Sequence, residues 1–292
     1  AGRHDAGKHK SFPIVGDAKL SILNLEKFLN GYVAPHEWVL KAQKYRTEWN
    51  KYVTKNVASG NRPNSYAMAI GVVNQLCDRR DRIVAAAGGL PAEVTANWRT
   101  LDQGTVDVEF GFSCMGYEIS GAWGARIAQI EREPDQDTIV FIGDGSYMMM
   151  NSDIYSSVIS QKKLIILVLD NGGFAVINKL QNSSGNESFN NLIIDCPTVT
   201  DPLPINFEAH ARAQGAVAET VFNPAELAAA FKRAKAATKT TVICMKVDAY
   251  EGWTAEGHTW WECGTPHVSE NKHVQTAHSE WEAGHIKQRK GV

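Results

Sequence analysis

The sequence predicts an α/β fold in which a parallel sheet carries helices on both faces. Two observations support this prediction: short apolar runs rich in β-branched residues recur after about residue 62, and stretches with helical spacing of apolar residues lie between them. The strand-like runs are Ile83–Ala87, Thr138–Ile142, Leu164–Leu169, Ala216–Val221 and Thr241–Val247. The predicted helices lie at 65–77, 116–130, 147–160, 206–214 and 224–237. Strands that alternate with helices pair in parallel and are buried on both faces.

The chain divides into four segments. Residues 1–34 hold apolar positions at helical spacing and are interpreted as the tail of a preceding domain, and residues 35–61 are polar and aromatic, as in a connecting helix or linker. Residues 62–250 contain the alternating pattern, in which Asn223 and Pro224 suit the start of the last helix. Residues 251–292 form an extension rich in His and Trp, with a distinctive Trp260-Trp261 pair that we expect to pack.

Composition excludes several classes of function. Thirty basic and 32 acidic side chains leave a net charge of −2, so no basic field for nucleic acid is present. No apolar run approaches 18 residues, so no membrane span is predicted. The five cysteines are scattered and form neither a disulfide framework nor a metal-ligand spacing. A reducing, cytoplasmic setting is therefore expected.

The segment Gly143-Asp144-Gly145-Ser146 follows a predicted strand and opens a predicted helix. Glycines there allow the backbone to approach a ligand closely, and the start of a helix offers free N–H groups to phosphate. An aspartate at this place would repel phosphate unless a cation lay between them. We therefore predict that Asp144 is a ligand of Mg²⁺, which bridges it to a diphosphate.

A second polar turn, Asp170-Asn171-Gly172-Gly173-Phe174, follows the next strand. Asn171 lies 27 positions after Asp144 (171 − 144), and one helix plus one strand fills that distance. Both turns should therefore meet at one edge of the sheet. The carboxylate of Asp144, the amide oxygen of Asn171 and a backbone carbonyl near Gly173 could share one ion, with phosphate oxygens and water as its other ligands.

These two turns resemble the diphosphate-binding signature of thiamine-diphosphate-dependent enzymes. The chain departs from that signature at one place, because the usual Asn-Asn pair is Asp170-Asn171 here. The second asparagine is the metal ligand in the family, so the departure leaves the site intact. The resemblance covers about residues 62–250 and implies the C-terminal diphosphate-binding domain, with thiamine diphosphate and Mg²⁺ as cofactors.

Other motifs extend the resemblance. Phe112-Ser113-Cys114-Met115-Gly116 is similar to the glycine-rich turn of the family, which places Met115 where a bulky residue bends the cofactor and the Ser113 carbonyl where its aminopyrimidine is received. Gly88-Gly89-Leu90-Pro91 resembles the first loop over the diphosphate, and Val176 resembles a contact to the pyrimidine. The implied cofactor residues are Gly88, Gly89, Ser113, Met115, Gly143, Asp144, Gly145, Ser146, Asn171, Gly173, Phe174 and Val176, and the implied metal ligands are Asp144, Asn171 and Gly173.

A narrower resemblance is to the trihydroxycyclohexanedione hydrolases of inositol catabolism, which hydrolyse a C–C bond of a cyclic 1,2-diketone to give 5-deoxyglucuronate. Five segments carry it: GGLPAEVTANW, EFGFSCMGYEISGAWGARIA, DNGGFAVINKLQ, NFEAHARAQGA and TWWECGTPHVSE. It implies a small polyhydroxylated diketone substrate. Two alternatives stay open: another enzyme of the superfamily, such as a decarboxylase or an acetolactate-synthase-like ligase, or an inactive cofactor-binding fragment. A dinucleotide-binding fold is disfavoured, because no G-x-G-x-x-G follows the first strand.

The resemblance also implies that the glutamate that activates the cofactor lies in a pyrimidine-binding domain, upstream or on a neighbouring subunit of a homo-oligomer. No catalytic residue is assigned within this chain. Residues 1–34 are then interpreted as the tail of an upstream middle domain, and the chain as the C-terminal part of a longer polypeptide. We expect the chain alone to hold the metal and the diphosphate without turnover.

Some residues near the motifs receive ordinary interpretations. Met148-Met149-Met150 is predicted to fill the core, since methionine packs irregular gaps. Cys114 is interpreted as a small apolar neighbour of the cofactor and not as a nucleophile. Residues 172–205 show no helix or strand pattern and are predicted to be a functional lid or a disordered segment.

Overall fold

The computed structural model describes residues 11–58, 63–201, 203–254 and 264–287. The chain divides into two compact units, one formed by Ala1–Lys51 with Thr259–Val292 and the other by Tyr52–His258. The second unit contains the sheet and the candidate site. The Trp260-Trp261 pair lies outside the described residues.

The sheet of the second unit has six strands, and every pairing in it is parallel. The strands are β1 (Arg82–Ala85), β2 (Val106–Val108), β3 (Thr138–Gly143), β4 (Ile165–Asp170), β5 (Val217–Val221) and β6 (Thr241–Lys246). Their order across the sheet is β2-β1-β3-β4-β6-β5. This confirms the predicted fold class and places β3 beside β4, as the spacing of the two polar turns requires.

The helices are, in chain order, α1 (Ala18–Phe28), α2 (His36–Val57), α3 (Tyr66–Leu76), α4 (Gly89–Asn97), α5 (Tyr117–Ile130), α6 (Asp144–Met149), α7 (Asp153–Ile159), α8 (Ala175–Ser183), α9 (Phe207–Ala213), α10 (Pro224–Ala236) and α11 (Lys272–Lys287). A 3₁₀ turn occupies Ile193–Asp195. As predicted, Asn223 caps α10, because its side chain accepts a hydrogen bond from the Glu226 N–H at 2.9 Å.

Alternate side chains of each central strand enter two separate cores, one on each face of the sheet. Phe141 of β3 packs in the same core as residues of α3, α4 and α10, whereas Ile142 packs with residues of α5, α7 and α9. Because a strand turns successive side chains to opposite faces, continuous apolar runs such as β4 are buried along their whole length. Because both faces of the sheet are buried, polar residues that bind a ligand are expected at the carboxyl ends of the strands.

Two predictions of secondary structure were wrong. The helix predicted at 147–160 is interrupted: α6 ends at Met149, Met150 is extended (φ −151°, ψ 97°), and α7 begins at Asp153. The segment 172–205 contains α8, whose asparagines, glutamine and serine are typical of loops. The short edge strand β2 and the helix α4 were not predicted, and the Gly-Gly-Leu-Pro start of α4 has the composition of a loop.

The first unit contains α1, most of α2, and α11. Asp17 caps α1, because its carboxylate accepts from the Leu20 N–H at 2.9 Å. On α11, the rings of His278, Trp281 and His285 stack in series, with centroid distances of 5.6 Å and 5.0 Å. Within the ranges that the structure describes, no helix combines the length and the apolar character needed to cross a membrane.

Candidate cofactor and metal site

The residues predicted from separate motifs surround one pocket beyond the carboxyl ends of β1, β3 and β4. All of the implied cofactor residues except Ser113 and Phe174 line it, together with Tyr66, Ala87, Leu90 and Ala175. Phe174 packs against the pocket residue Gly145, because its ring occupies the space that a Cβ on Gly145 would need. Ser113 is exposed and has a left-handed backbone (φ 55°).

The register of β3 and β4 brings the two polar turns together. Gly143 at the end of β3 pairs with Leu169 of β4, so Asp144 and Asn171 follow neighbouring positions at the same edge. Asp144 is only 6% exposed. Burial, and then the nearby carboxylate of Asp170, raise the pKa of Asp144 to about 7, although the N–H groups of Gly145 and Gly173 favour its charged form. A cation beside Asp144 would offset the cost of burying this charge.

Asn171, which lines the pocket, has a buried amide oxygen with no partner among the residues that the structure describes. Its Nδ2 donates to the hydroxyl oxygen of Tyr66 at 2.5 Å, whereas its Oδ1 is buried and accepts no hydrogen bond from the described residues. An unpaired buried acceptor costs free energy, which a hard cation would recover. One carboxylate and one orphaned amide oxygen on adjacent strand ends therefore fit Mg²⁺.

The described ranges contain no metal site of another composition, because no three His, Cys, Asp or Glu side chains in them could hold an ion together.

Asp170 stands where the diphosphate-binding signature usually has its first asparagine, and its side chain makes contacts within its own turn. Its Oδ1 accepts from the Gly172 N–H at 2.9 Å, and its Oδ2 lies 3.8 Å from Lys246 Nζ. Asp170 therefore shapes the turn and adds negative charge beside Asp144.

Tyr66 is a site residue that the sequence analysis missed. It is the first residue of α3, is 7% exposed, and packs edge-on against Trp253 at 5.6 Å between centroids. Burial first, and then the carboxylates of Asp144 and Asp170, raise the pKa of Tyr66 far above its ordinary value. Tyr66 is therefore a neutral hydroxyl group at physiological pH. Sequence gives no sign of its contact with Asn171, which lies 105 positions away.

Trp253 packs against the first loop of the pocket. A Cβ on Gly89 would come within 2.4 Å of its ring, so any other residue there would force the ring to move. The following residue, Thr254, is fixed by two side chains of α4, since its N–H donates to Glu93 at 2.9 Å and Asn97 Nδ2 donates to its hydroxyl at 2.7 Å. The segment GGLPAEVTANW thus carries both the loop and the residues that anchor the chain after β6.

Glu118 joins three pocket segments through a buried carboxylate. It accepts hydrogen bonds from the Ser146 hydroxyl at 2.8 Å, the Gly116 N–H at 2.9 Å and the Ala87 N–H at 3.4 Å. These donors lie in the first turn of α6, in the glycine-rich turn and just after β1, respectively. Burial raises the pKa of Glu118. The Ser146 hydroxyl therefore points to Glu118, which the sequence analysis had not predicted.

We expect Glu118→Ala to destabilise the chain by about 2–4 kcal/mol, because it leaves buried donors without an acceptor. Ser146→Ala should cost less, since the Gly116 N–H keeps its bond to Glu118. Urea unfolding of both single variants and the double variant measures their coupling. A coupling of about 1 kcal/mol or more is expected, and strictly additive effects would contradict the shared network.

The three methionines at positions 148–150 correct another prediction. Met148, Met149 and Met150 are 50%, 56% and 48% exposed, so they do not fill the core as predicted. Met148 and Met149 end α6, and Met150 follows it in an extended conformation. Cys114 is exposed, and its N–H donates to Glu109 at 2.8 Å, which helps to hold the glycine-rich turn.

Comparison with known families agrees with this geometry. A family described as "Thiamine pyrophosphate enzyme, C-terminal TPP binding domain" matches residues 86–245, a range that runs from just after β1 into β6 and includes both polar turns. The chain belongs to this family. Thiamine diphosphate is therefore the cofactor class for which this domain is built, and the resemblance drawn from the sequence motifs is confirmed.

Curated relatives extend the match beyond that range. The chain is 32% identical over 305 residues to a 3D-(3,5/4)-trihydroxycyclohexane-1,2-dione hydrolase of Lacticaseibacillus casei, covering 97% of this chain and 47% of the relative. It is 30% identical over 309 residues to the protein of that name in Bacillus subtilis, covering 94% of this chain and 46% of the relative. The chain thus spans about half the length of these relatives.

Solved structures show the same fold at lower identity. A benzoylformate decarboxylase from Polynucleobacter necessarius superposes with a TM-score of 0.54 and 19% identity, covering 66% of this chain and 34% of that one. A thiamine diphosphate-dependent 4-hydroxybenzoylformate decarboxylase from Rhodococcus jostii gives a TM-score of 0.55 and 20% identity, covering 67% and 34%. At this identity the likeness supports the fold and not the substrate.

Proposed function

We propose that this chain is the diphosphate- and Mg²⁺-binding part of a hydrolase that opens a cyclic, polyhydroxylated 1,2-diketone by cleaving a C–C bond, as in inositol catabolism. One observation carries the proposal: relatives named for this activity align along 94–97% of the chain, well beyond the range of the cofactor-domain family. The decarboxylase structures cover only 66–67% of the chain, at 19–20% identity. We therefore favour the hydrolase over a decarboxylase.

Different residues around the pocket would bind the metal ion and the diphosphate of the cofactor. Asp144, Asn171 Oδ1 and the Gly173 carbonyl would supply oxygen ligands to Mg²⁺, whose remaining ligands would include diphosphate oxygens. The loop at Gly88-Gly89 would bring its backbone close to the diphosphate. When bound, thiamine diphosphate supplies a nucleophilic carbon and an electron sink for the cleaved C–C bond.

The described acids near the pocket are already engaged in structural contacts. Glu93 is bonded to Thr254 and Asn97, and Glu118 to Ser146, Gly116 and Ala87. We therefore place the glutamate that activates the cofactor in a pyrimidine-binding domain, upstream or on a neighbouring subunit of a homo-oligomer. Exposed apolar side chains on segments that border the pocket support such a partner, notably Phe112 (91% exposed), Met149 and Ile177.

The test is an assay for ring opening. The chain is incubated with thiamine diphosphate, Mg²⁺ and trihydroxycyclohexane-1,2-dione, alone and with the pyrimidine-domain half of the Bacillus subtilis relative, and the products are followed by NMR. We expect ring opening only in the mixture, and no CO₂ release from benzoylformate in either sample. CO₂ release would favour a decarboxylase. Full ring-opening activity of the chain alone would contradict the proposal that a separate pyrimidine-binding domain supplies the activating glutamate.

A further inference from the structure

Tyr66 contacts one of the proposed metal ligands, Asn171, without being a metal ligand itself. It enters the pocket from α3, a helix that precedes the whole sheet in sequence, and lines the same wall as Asp144 and Asn171. Its N-cap, Ser65, accepts from the Met68 N–H at 3.3 Å and so fixes the first turn of α3. The ring is held against Trp253. Its hydroxyl therefore has a defined position at the strand ends.

The hydroxyl of Tyr66 contacts one end of the Asn171 amide. Nδ2 donates to it at 2.5 Å, and Oδ1 at the opposite end of the amide is buried with no partner among the described residues. The oxygen and the nitrogen of an asparagine amide have almost the same shape, so rotation by 180° exchanges them. After such a rotation an NH₂ group, which cannot bind Mg²⁺, would replace the ligand oxygen.

We propose that Tyr66 is a positioning residue for the metal, whose hydroxyl holds the Asn171 amide in the orientation that turns Oδ1 and not Nδ2 to the ion. This inference rests on the proposed metal site. Because the Tyr66 oxygen accepts from Asn171 Nδ2, the NH₂ end of the amide is held at Tyr66 and Oδ1 lies at the opposite end. Partners outside the ligand sphere commonly set metal affinity in this way.

Substitution of Tyr66 by phenylalanine tests the role of the hydroxyl alone. Mn²⁺ is titrated into the metal-free chain with saturating thiamine diphosphate, and free Mn²⁺ is measured by its EPR signal. We expect Tyr66→Phe to weaken Mn²⁺ binding by about 10-fold or more. Tyr52→Phe is the matched control, because the Tyr52 hydroxyl also makes one short hydrogen bond, to the Thr254 carbonyl at 2.6 Å, but does not line the pocket. It should bind Mn²⁺ as the unsubstituted chain does.

Tyr66→Phe made together with Asn171→Asp separates positioning of the Asn171 amide from general support of the fold. In Asn171→Asp, both ends of the side chain are oxygens, so rotation no longer matters. Tyr66→Phe should then change Mn²⁺ affinity by less than about 2-fold. Two results would overturn the role of Tyr66 alone: an unchanged affinity in the single variant, or an equal loss in both backgrounds. Failure of the unsubstituted chain to bind Mn²⁺ would overturn the metal site, and this inference with it.

Discussion

Asp144→Asn should abolish metal-dependent cofactor binding and at the same time stabilise the cofactor-free chain. Binding of thiamine diphosphate in Mg²⁺ should weaken by about 100-fold or more, because a neutral amide replaces the charged ligand of a small hard cation. Without cofactor the substitution removes a buried charge that lies near Asp170. Calorimetric titration measures the first effect and urea unfolding the second.

The gain in stability from Asp144→Asn should depend on pH in a defined direction. Burial and Asp170 raise the pKa of Asp144 from 3.8 to about 7, so the folded chain retains a proton that the unfolded chain has lost. The cofactor-free wild type should therefore lose stability relative to Asp144→Asn as the pH rises from about 4 to about 7, by roughly 2–4 kcal/mol in total, and the difference should stay constant above that range.

A matched control is Asp153→Asn on α7, a carboxylate that accepts from Ser120 and Ser156 and does not line the pocket. It should bind thiamine diphosphate as the unsubstituted chain does. An Asp144→Asn chain that bound the cofactor as tightly as wild type would show that this carboxylate holds no metal.

Gly173→Ala should destroy the second polar turn. Gly173 has φ +145°, a conformation nearly restricted to glycine, and a Cβ would lie 2.4 Å from the carbonyl oxygen of Asn191. This obstacle is backbone and is held by the Phe174 N–H, which donates to the same oxygen at 2.7 Å. We expect a loss of about 3 kcal/mol or more in unfolding free energy, together with loss of metal-dependent cofactor binding.

Gly172→Ala is the matched control for this prediction. Gly172 also has a positive φ (+80°), but no heavy atom lies within 4 Å of a Cβ built there. Only the backbone strain remains, and the cost should be about 1 kcal/mol. Urea unfolding and cofactor titration of the two variants compare them directly. Equal losses would mean that the close approach to Asn191 does not shape the site.

Much of the fold and part of the site could be predicted from local sequence. The central strands are continuous apolar runs, and parallel strands place the turns that follow them at one edge, so Asp144 and Asn171 could be brought together from spacing alone. Elements with weak local patterns were missed. α8 carries several amide side chains, and the α4 segment begins with glycines and a proline, and both compositions favour the interpretation as a loop.

The supporting residues of the site could not be predicted, because their partners are distant in sequence. Tyr66 meets Asn171 across 105 positions, and Thr254 meets Glu93 across 161. Glu118 is close in sequence to Gly116, but its bond to Ser146 depends on the packing of α5 against the turn after β3. Such contacts follow from tertiary structure, so neither periodicity nor motif spacing reveals them.

The central claim is that one divalent ion, held between the ends of β3 and β4, anchors a diphosphate. The most direct measurement is a calorimetric titration of the chain with thiamine diphosphate, in Mg²⁺ and again with the metal chelated, with thiamine as the ligand that lacks phosphate. Saturable 1:1 binding of thiamine diphosphate is expected in Mg²⁺ only, and no binding of thiamine. Equal affinity without metal, or equal affinity for thiamine, would contradict it.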